Sequence, residues 1–221
     1  MTIALPRLDR LPQAERGITL ADFLVPIRIG ERLSSQARHI ALILLGTLLV
    51  ILATRVIIPA DPVPFTGQTF AVLLVGGALG LRRGVLSMLL YLAIGIAGVP
   101  VFSEGRSGLG QLVGTAEGGI VLGARGGYLV GFVLAAGLVG KLAEFGWDRR
   151  IVGAVAAMVL GNAVIYLVGV SWLMAATGMA APAAIEAGMV KFLAWDALKI
   201  AAAGALFPAA WWLVGRRPGA G

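Results

Sequence analysis

The sequence predicts an all-α, polytopic membrane protein with about six transmembrane helices and both termini in the cytoplasm. Of its 221 residues, 59% are hydrophobic and 13% are charged, and the mean hydropathy of +0.93 lies far above that of soluble proteins. Apolar runs of nearly bilayer-spanning length recur along the chain, and arginines cluster at their ends. Orientation in a membrane therefore explains the net charge of +7, and lipid rather than nucleic acid is the expected surrounding.

The six spans follow from the apolar runs. They cover about residues 37–59, 68–81, 84–97, 126–145, 151–176 and 189–214, of which the second and third are short. The first is too long for the hydrophobic region of a signal peptide, so a retained helix is predicted. The predicted division is a cytoplasmic N-terminal arm at 1–36, a six-helix membrane domain at 37–214 and a cytoplasmic tail at 215–221.

The positive charges predict the orientation of the spans. Alternate connections are rich in arginine, and the connections between them are poorer in positive charge. This bias places the rich connections and both termini in the cytoplasm, which requires an even number of spans. The arginines concerned are Arg7, Arg10, Arg16, Arg28, Arg32 and Arg38 before the first span, then Arg82, Arg83, Arg149, Arg150, Arg216 and Arg217.

Small residues at four-residue spacing predict close helix packing in the last three spans, because small side chains let helices approach each other in lipid. The predicted packing positions are Gly127 and Gly131, then Gly153, Ala157 and Gly161, then Ala197, Ala201, Ala205 and Ala209.

A glycine-rich stretch at residues 99–132 separates the third and fourth spans. Its apolar residues favour a loop that folds into the mouth of a pocket, and its glycines predict that 105–127 closes over a ligand. Because helix N-termini offer free N–H groups, Gly126, Gly127 and Tyr128 are candidates to receive a carboxylate.

No catalytic or metal-binding constellation is present in the sequence. It contains no cysteine and a single histidine, His39. The one Gly-Lys pair, Gly140-Lys141, is followed by leucine and does not form a nucleotide-binding P-loop. The chain is therefore predicted not to be an enzyme and to hold no cofactor.

An acid and an amine stand in the otherwise apolar stretch VKFLAWDALKIAAAG at residues 190–204. Asp196 and Lys199 lie three residues apart, so they share one face of a helix. Two charges in an apolar helix are costly unless they pair or meet a polar ligand. Both an internal ion pair and a ligand site satisfy that condition, and the residues alone do not separate them.

Other polar or aromatic residues in the spans are weaker candidates. Asn162 and Tyr166 lie one turn apart and are expected to face one cavity, unless they bond between helices. Gln68 opens the second span as a ligand contact or a helix cap. Trp195 is a candidate wall of the pocket, and Glu104 is expected only to solvate its loop.

Three segments resemble the BioY family, the biotin-specific substrate-binding (S) component of energy-coupling-factor (ECF) transporters. They are PVPFTGQTFAVLLVGGALGLRRGVLSMLLYLAIGIAGVPVF at 62–102, GGYLVGFVLAAGLVGKLAE at 126–144, and YLVGVSWL followed by the Asp196-x-x-Lys199 pair. The resemblance spans residues 40–214 in order. It implies a six-helix biotin-binding subunit of the bacterial inner membrane that works with a transmembrane coupling subunit and ATP-binding-cassette (ABC) ATPases.

The resemblance also implies roles for individual residues. Asp196 accepts hydrogen bonds from the ureido N–H groups of biotin, and Lys199 donates to the ureido carbonyl. Arg106 and Arg125 are the positively charged residues available on the outer side to meet the valerate carboxylate. The chain departs from the family pattern at Ala124-Arg125, at Glu117-Gly118-Gly119, at Lys191-Phe192 and at Trp195. The alternative is a stand-alone carrier, independent of ATPases, for another small carboxylate-bearing solute.

Overall fold

The computed structural model describes residues 19–24, 35–116 and 119–215. Strands β1 (Ile57–Ile58) and β2 (Phe65–Thr66) pair antiparallel, as do β3 (Val113–Ala116) and β4 (Gly119–Leu122). Short 3-10 turns occupy 103–105, 109–111, 147–149 and 190–192. The helices are α1 (Leu20–Leu24), α2 (Ser35–Ala53), α3 (Gln68–Ile96), α4 (Gly126–Glu144), α5 (Ile151–Thr177), α6 (Ala181–Gly188) and α7 (Leu193–Gly215).

Most of the predicted N-terminal arm and nearly all of the predicted tail lie outside the described residues. The division at 36/37 and 214/215 therefore stays a prediction. Arg7, Arg10, Arg16, Arg28, Arg32, Arg216, Arg217, Glu117 and Gly118 also lie outside the described residues.

The prediction of a multi-pass helical membrane protein is confirmed. Within the described residues, five helical stretches are long and apolar enough to cross a membrane: Ser35–Ala53, Gln68–Ile96, Gly126–Glu144, Ile151–Thr177 and Ala181–Val214. The predicted number of six differs because the second and third predicted spans form one helical element, α3.

Helix α3 folds back on itself at Gly80. This residue has φ 81° and ψ 179°, a backbone conformation that only glycine adopts readily. In a straight helix Gln68 and Tyr91 would lie about 34 Å apart, yet Gln68 Nε2 donates to the Tyr91 hydroxyl at 2.7 Å. The arms 68–79 and 81–96 are therefore antiparallel, and they correspond to the two short predicted spans.

Two predicted span boundaries need correction. The first span was predicted to reach residue 59, but α2 ends at Ala53, and Ile57 and Ile58 form a strand. β-Branched residues followed by prolines favour extended backbone over helix. The last span begins at Leu193 instead of residue 189, because the separate helix α6, with proline in its first turn, precedes it.

Two of the three predicted sets of small residues, those of α4 and α5, are packing positions, as predicted. A Cβ at Gly131 would lie 3.1 Å from the Cα of Ile165, so α4 and α5 meet there, and Gly153 packs on the backbone of Trp147. The third set was wrong: Ala197, Ala201, Ala205 and Ala209 are exposed, while α7 buries Ala203 and Phe207. Helix α7 therefore turns its opposite face to the bundle.

The segment at 19–24 closes one end of the bundle, beside the Gly80 break. Leu20 and Ala21 are buried in the core. Asp22 forms ion pairs with Arg83, 2.9 Å between Oδ1 and Nη2, and with Arg38 at 3.3 Å. Burial opposes ionisation of Asp22, but the hydrogen bonds from Arg83 and Thr19 outweigh it and lower the pKa.

Candidate functional site

A cavity opens at the end of the bundle opposite to α1. It encloses about 650 Å³ of space between protein atoms, including solvent at its mouth. The starts of α3, α4 and α7 converge there with the middle of α5, and the loops after β1 and α3 cover it. Its lining residues are Val63, Pro64, Thr66, Gln68, Thr69, Phe102, Ser103, Gln111, Arg125, Tyr128, Leu129, Phe132, Ile165, Tyr166, Gly188, Phe192, Asp196 and Lys199.

Asp196 and Lys199 are both part of the cavity wall and bind each other. Lys199 Nζ lies 3.0 Å from Asp196 Oδ1, and Asp196 is only 3% exposed. The Tyr166 hydroxyl donates to Asp196 Oδ2, and Thr69 Oγ1 lies 3.4 Å from Oδ1. Three of about four acceptor positions on the carboxylate are thus used by described residues, which leaves one on Oδ2 for a further donor.

The ammonium group of Lys199 is fully engaged. Besides Asp196, it donates to the backbone oxygen of Thr66 at 2.9 Å and to Thr69 Oγ1 at 2.7 Å. An ammonium group has three N–H donors, so these contacts use all of them. A ligand carbonyl can accept from Lys199 only by taking the place of one of these partners. The polar pair therefore joins α7 to the start of α3.

Gln68 is buried in the cavity wall, where it is hydrogen-bonded to another protein side chain. Its Nε2 donates to the Tyr91 hydroxyl, which in turn donates to the backbone oxygen of Val101 at 3.3 Å. Phe102 packs edge-on against Tyr91, with 5.5 Å between ring centroids. These contacts fix the end of α3 and the loop that follows it at the edge of the cavity.

Arg125 occupies the mouth, in a charged cluster. Its Nη1 lies 2.6 Å from Glu104 Oε2, and its Nε donates to the backbone oxygen of Pro62 at 3.1 Å. Arg106 Nε meets the same Glu104 oxygen at 3.1 Å. Glu104, expected only to solvate its loop, is thus an ion-pair partner, and the hydrogen bond from Arg125 is the main reason that its pKa is lowered.

Tyr128 and Gly127 have different surroundings although they are neighbours. Tyr128 lines the cavity and donates to the backbone oxygen of Gly188 at 2.8 Å. Gly127 packs tightly against the Trp172 side chain, away from the cavity. The amides of Gly126 and Tyr128 bond to backbone oxygens of Gly123 and Arg125. Two of the three amides of the predicted anion site at the start of α4 therefore bind backbone oxygens.

Three further predicted residues lie away from the cavity. Asn162 is buried and, as expected, shares a space with Tyr166, but that space is an apolar groove between α5 and α7, which Asp196 also lines. Trp195 is 41% exposed on the outer face of α7. The Arg106 side chain is 51% exposed and bound to Glu104. Of the predicted set, the structure brings together Gln68, Arg125, Tyr128, Tyr166, Asp196 and Lys199.

Several lining residues were not predicted. They are the polar Thr66, Ser103 and Gln111 and the apolar Val63, Pro64, Leu129, Phe132, Ile165, Gly188 and Phe192. Thr69, next to Gln68 at the start of the second predicted span, and Phe102, an apolar residue of the glycine-rich stretch, were expected near the site and line the cavity. The unpredicted apolar residues carry no signal, because they look like any other residue of a membrane helix or its loops.

Comparison with known proteins identifies relatives over most of the chain. The model of the BioY family matches residues 29–216. The biotin transporter BioY of Thermotoga maritima is 35% identical over 161 residues, which cover 71% of this chain and 86% of the relative. A probable biotin transporter BioY of Rickettsia prowazekii is 30% identical over 182 residues, covering 81% of this chain and 88% of the relative.

A solved structure shares the fold. The crystal structure of the S-component for biotin from an ECF-type ABC transporter superposes with a TM-score of 0.70. The alignment covers 81% of this chain and 94% of the solved chain at 21% identity. At that identity the likeness is one of architecture.

Proposed function

The chain belongs to the BioY family, and we propose that it is a membrane-embedded biotin-binding subunit that takes part in biotin uptake. The family is one of transporters and not of enzymes. The observation that carries the proposal is the buried Asp196–Lys199 pair on the wall of a largely apolar cavity. Such a pair is costly in a membrane helix and suits a ligand that both donates and accepts hydrogen bonds.

The ureido group of biotin matches this pair. It has two N–H donors and one carbonyl acceptor. The remaining acceptor position on Asp196 Oδ2 takes one N–H. Lys199 contacts Thr69 Oγ1 and the backbone oxygen of Thr66. It donates to the ureido carbonyl when that carbonyl replaces one of these two partners. Binding is thus an exchange of partners at Lys199, in which no buried charge is left without a partner.

The rest of the cavity matches the rest of the ligand. Phe102, Phe132 and Phe192 supply apolar surface for the fused rings and the alkyl chain. Arg125, at the mouth, is a partner for the valerate carboxylate, and its planar guanidinium group suits that anion. Because the Arg106 side chain is exposed and outside the lining, Arg125 is the stronger candidate of the two arginines.

Binding of radiolabelled biotin to the purified protein tests the proposal. We expect saturable binding that unlabelled biotin abolishes. Biotin methyl ester, which lacks the anionic group, is expected to compete more weakly. Saturable binding of another small carboxylate with no response to biotin would instead favour a carrier for a different solute.

We further propose that the subunit works in a bacterial inner membrane with an ECF coupling subunit and ABC ATPases. Uptake of biotin by cells with and without these subunits tests the partnership, and equal uptake in both would favour a stand-alone carrier. The arginine distribution supports cytoplasmic termini. Reporter fusions at both ends test this orientation, and a reporter exposed outside the cell would overturn it.

A further inference from the structure

We propose that Glu104 is an internal competitor for the ligand carboxylate: it binds Arg125, and it yields this contact when an anionic ligand binds. This inference rests on the proposed function, because it concerns the same cavity and the same arginine. It adds a residue that controls selectivity between anionic and neutral ligands.

The contacts at the mouth show how the competition arises. A single carboxylate oxygen, Glu104 Oε2, meets Arg125 Nη1 at 2.6 Å and Arg106 Nε at 3.1 Å. Two guanidinium groups therefore share one carboxylate, so these three side chains carry a net charge of +1. A ligand carboxylate would neutralise it, with Arg106 retaining Glu104 and Arg125 binding the ligand.

The two partners lie on different sides of the mouth. The Arg125 side chain is 15% exposed and belongs to the cavity lining, whereas Glu104 is 28% exposed and does not. The neighbour of Glu104, Ser103, does line the cavity. The ion pair thus reaches from the cavity wall to the covering loop, where a ligand's terminal anion would meet Arg125 first.

The covering loop holds Glu104 in an unusual backbone conformation. Glu104 has φ 61°, and among the described residues it is the only one other than glycine with a positive φ. This conformation disfavours a residue with a side chain. Backbone hydrogen bonds across the turn, from Gly105 N to Phe102 O at 3.1 Å and from Phe102 N to Arg106 O at 3.0 Å, hold it and so place the Glu104 carboxylate opposite Arg125.

The loop is fixed on both sides of Glu104. Phe102 is 3% exposed and packs on Tyr91, and Gly108 N donates to the backbone oxygen of Gly95 at 2.7 Å. The Glu104 side chain is 28% exposed, so its carboxylate can leave Arg125 by rotation of the side chain while the loop backbone stays in place.

The proposal makes opposite predictions for anionic and neutral ligands. An anionic ligand exchanges one carboxylate for another on Arg125, so Glu104 weakens its binding. A neutral ligand has no carboxylate to pair with Arg125, so the ion pair between Arg125 and Glu104 stays in place. Glu104→Gln keeps the size of the side chain and removes its charge, so biotin should bind about three- to tenfold more tightly. Binding of biotin methyl ester should stay unchanged.

The test measures the affinities of the full-length protein and its variants for biotin and for biotin methyl ester. Glu186→Gln is the matched control, because it removes an exposed glutamate on α6, outside the cavity lining. Placing Glu104→Gln in an Arg125→Gln background completes a double-mutant cycle, in which the gain for biotin should disappear. Thermal stability of each variant confirms that it is folded.

The outcomes separate this inference from the proposed function. If the wild type does not bind biotin, both fall together. If the wild type binds biotin but Glu104→Gln binds it equally or less tightly, Glu104 is only a loop-stabilising group and the inference alone is wrong. An equal gain for the ester, or a gain that persists without Arg125, overturns it too.

Discussion

The two ends of the bundle hold carboxylates in contrasting surroundings. At the cavity end, Asp196 and Glu104 pair with Lys199 and Arg125, which line a space that a ligand can enter. At the opposite end, Asp22, Glu144 and Asp148 bind groups that hold helices together, and none of them lines that cavity. An ion pair in a membrane protein is therefore not by itself evidence of a binding site. Its access to a cavity separates the two roles.

The opposite end shows what a structural carboxylate does. Glu144, at the end of α4, accepts from the backbone N–H of Leu81 at 3.0 Å and so caps the second arm of α3. Asp148 is buried and accepts from Trp211 Nε1 at 2.6 Å, which ties α7 to the turn between α4 and α5. These contacts fix helix ends, and we expect their loss to change stability but not affinity.

The largest expected effect is at Asp196 and Lys199. Asp196→Asn turns an acceptor into a donor that opposes the ureido N–H, and Lys199→Met removes the charge at similar length. Each should weaken biotin binding by ~2–4 kcal/mol, about thirtyfold to a thousandfold, because a charge-assisted bond in a desolvated site is lost. Titration of the purified variants with labelled biotin measures the loss.

The double variant Asp196→Asn/Lys199→Met decides whether this pair is structural instead. If it serves the ligand, the double variant should fold and still not bind biotin. If it only holds α7 against α3, each single variant should be unstable, and the double variant should recover both stability and affinity. Recovery of both stability and affinity in the double variant would mean that the ion pairs at both ends of the bundle are structural.

The next largest effect is expected at the fold-back of α3. Gly80→Ala places a side chain in a conformation with φ 81°, and the new Cβ would lie 2.7 Å from Thr19 Cγ2. We expect a loss of about 2–3 kcal/mol in unfolding free energy. Gly178→Ala is the control, because Gly178 has φ 69° but no atom within 4 Å of its Cβ position. Its loss should be smaller, and biotin affinity of either folded variant should not change.

The third prediction concerns pH at the opposite end. Burial raises the pKa of Asp148 from 3.8 to about 6, so the folded state prefers the protonated form. The contribution of Asp148 to stability is therefore fully present below about pH 4 and is lost as the pH rises through 6. Asp148→Asn should remove this part of the pH dependence, about 1.4 kcal/mol between pH 5 and pH 7.5, while retaining an acceptor for Trp211.

Thermal unfolding at pH 5 and pH 7.5 measures this difference. The wild type should lose more stability than Asp148→Asn between the two values. Asp61→Asn, at an exposed carboxylate in the loop after β1, is the control and should behave as the wild type does. Identical pH dependence of Asp148→Asn and the wild type would show that Asp148 does not titrate in this range.

The smallest effect is expected at Glu144. In Glu144→Gln the amide oxygen can still accept from Leu81 N, so what is lost is the attraction between the carboxylate and the helix N-terminus and the half-exposed ion pair with Lys141 at 3.3 Å. A decrease of about 0.5–1 kcal/mol in unfolding free energy should result, with unchanged biotin affinity. A clear decrease in affinity would mean that the two ends are coupled through α3.

The sequence predicted the helical membrane architecture because hydrophobic runs and arginines respond directly to the bilayer. It did not predict which face of α7 is buried. In lipid, the outward face of a helix is as apolar as the inward one, so Ala197 and Ala203 look alike although only Ala203 is buried. Six spans were predicted because the two arms of α3 count as separate runs in the sequence, and the turn between them was placed at Arg82 and Arg83, close to its actual position at Gly80.

The candidate site was predicted in part for the same reason. Asp196, Lys199 and Tyr166 were noticeable because polar groups are rare in apolar spans. Trp195 adjoins Asp196 but points outward, since the rotation of α7 about its axis is set by tertiary packing. Phe132 and Phe192 gave no signal, because apolar residues of the spans look alike whether they face the cavity or the lipid.

The fold-back of α3 also bears on how the protein is made. The arm at 68–79 rises only about 18 Å, well short of the roughly 30 Å of hydrocarbon that a lone helix must cross. Alone, this arm is too short to span the bilayer. The sharp reversal at Gly80 brings 81–96 alongside it, so we expect the two arms to insert as a pair. The same reversal brings Gln68 and Tyr91 together at the cavity, so the binding end depends on that pair being formed.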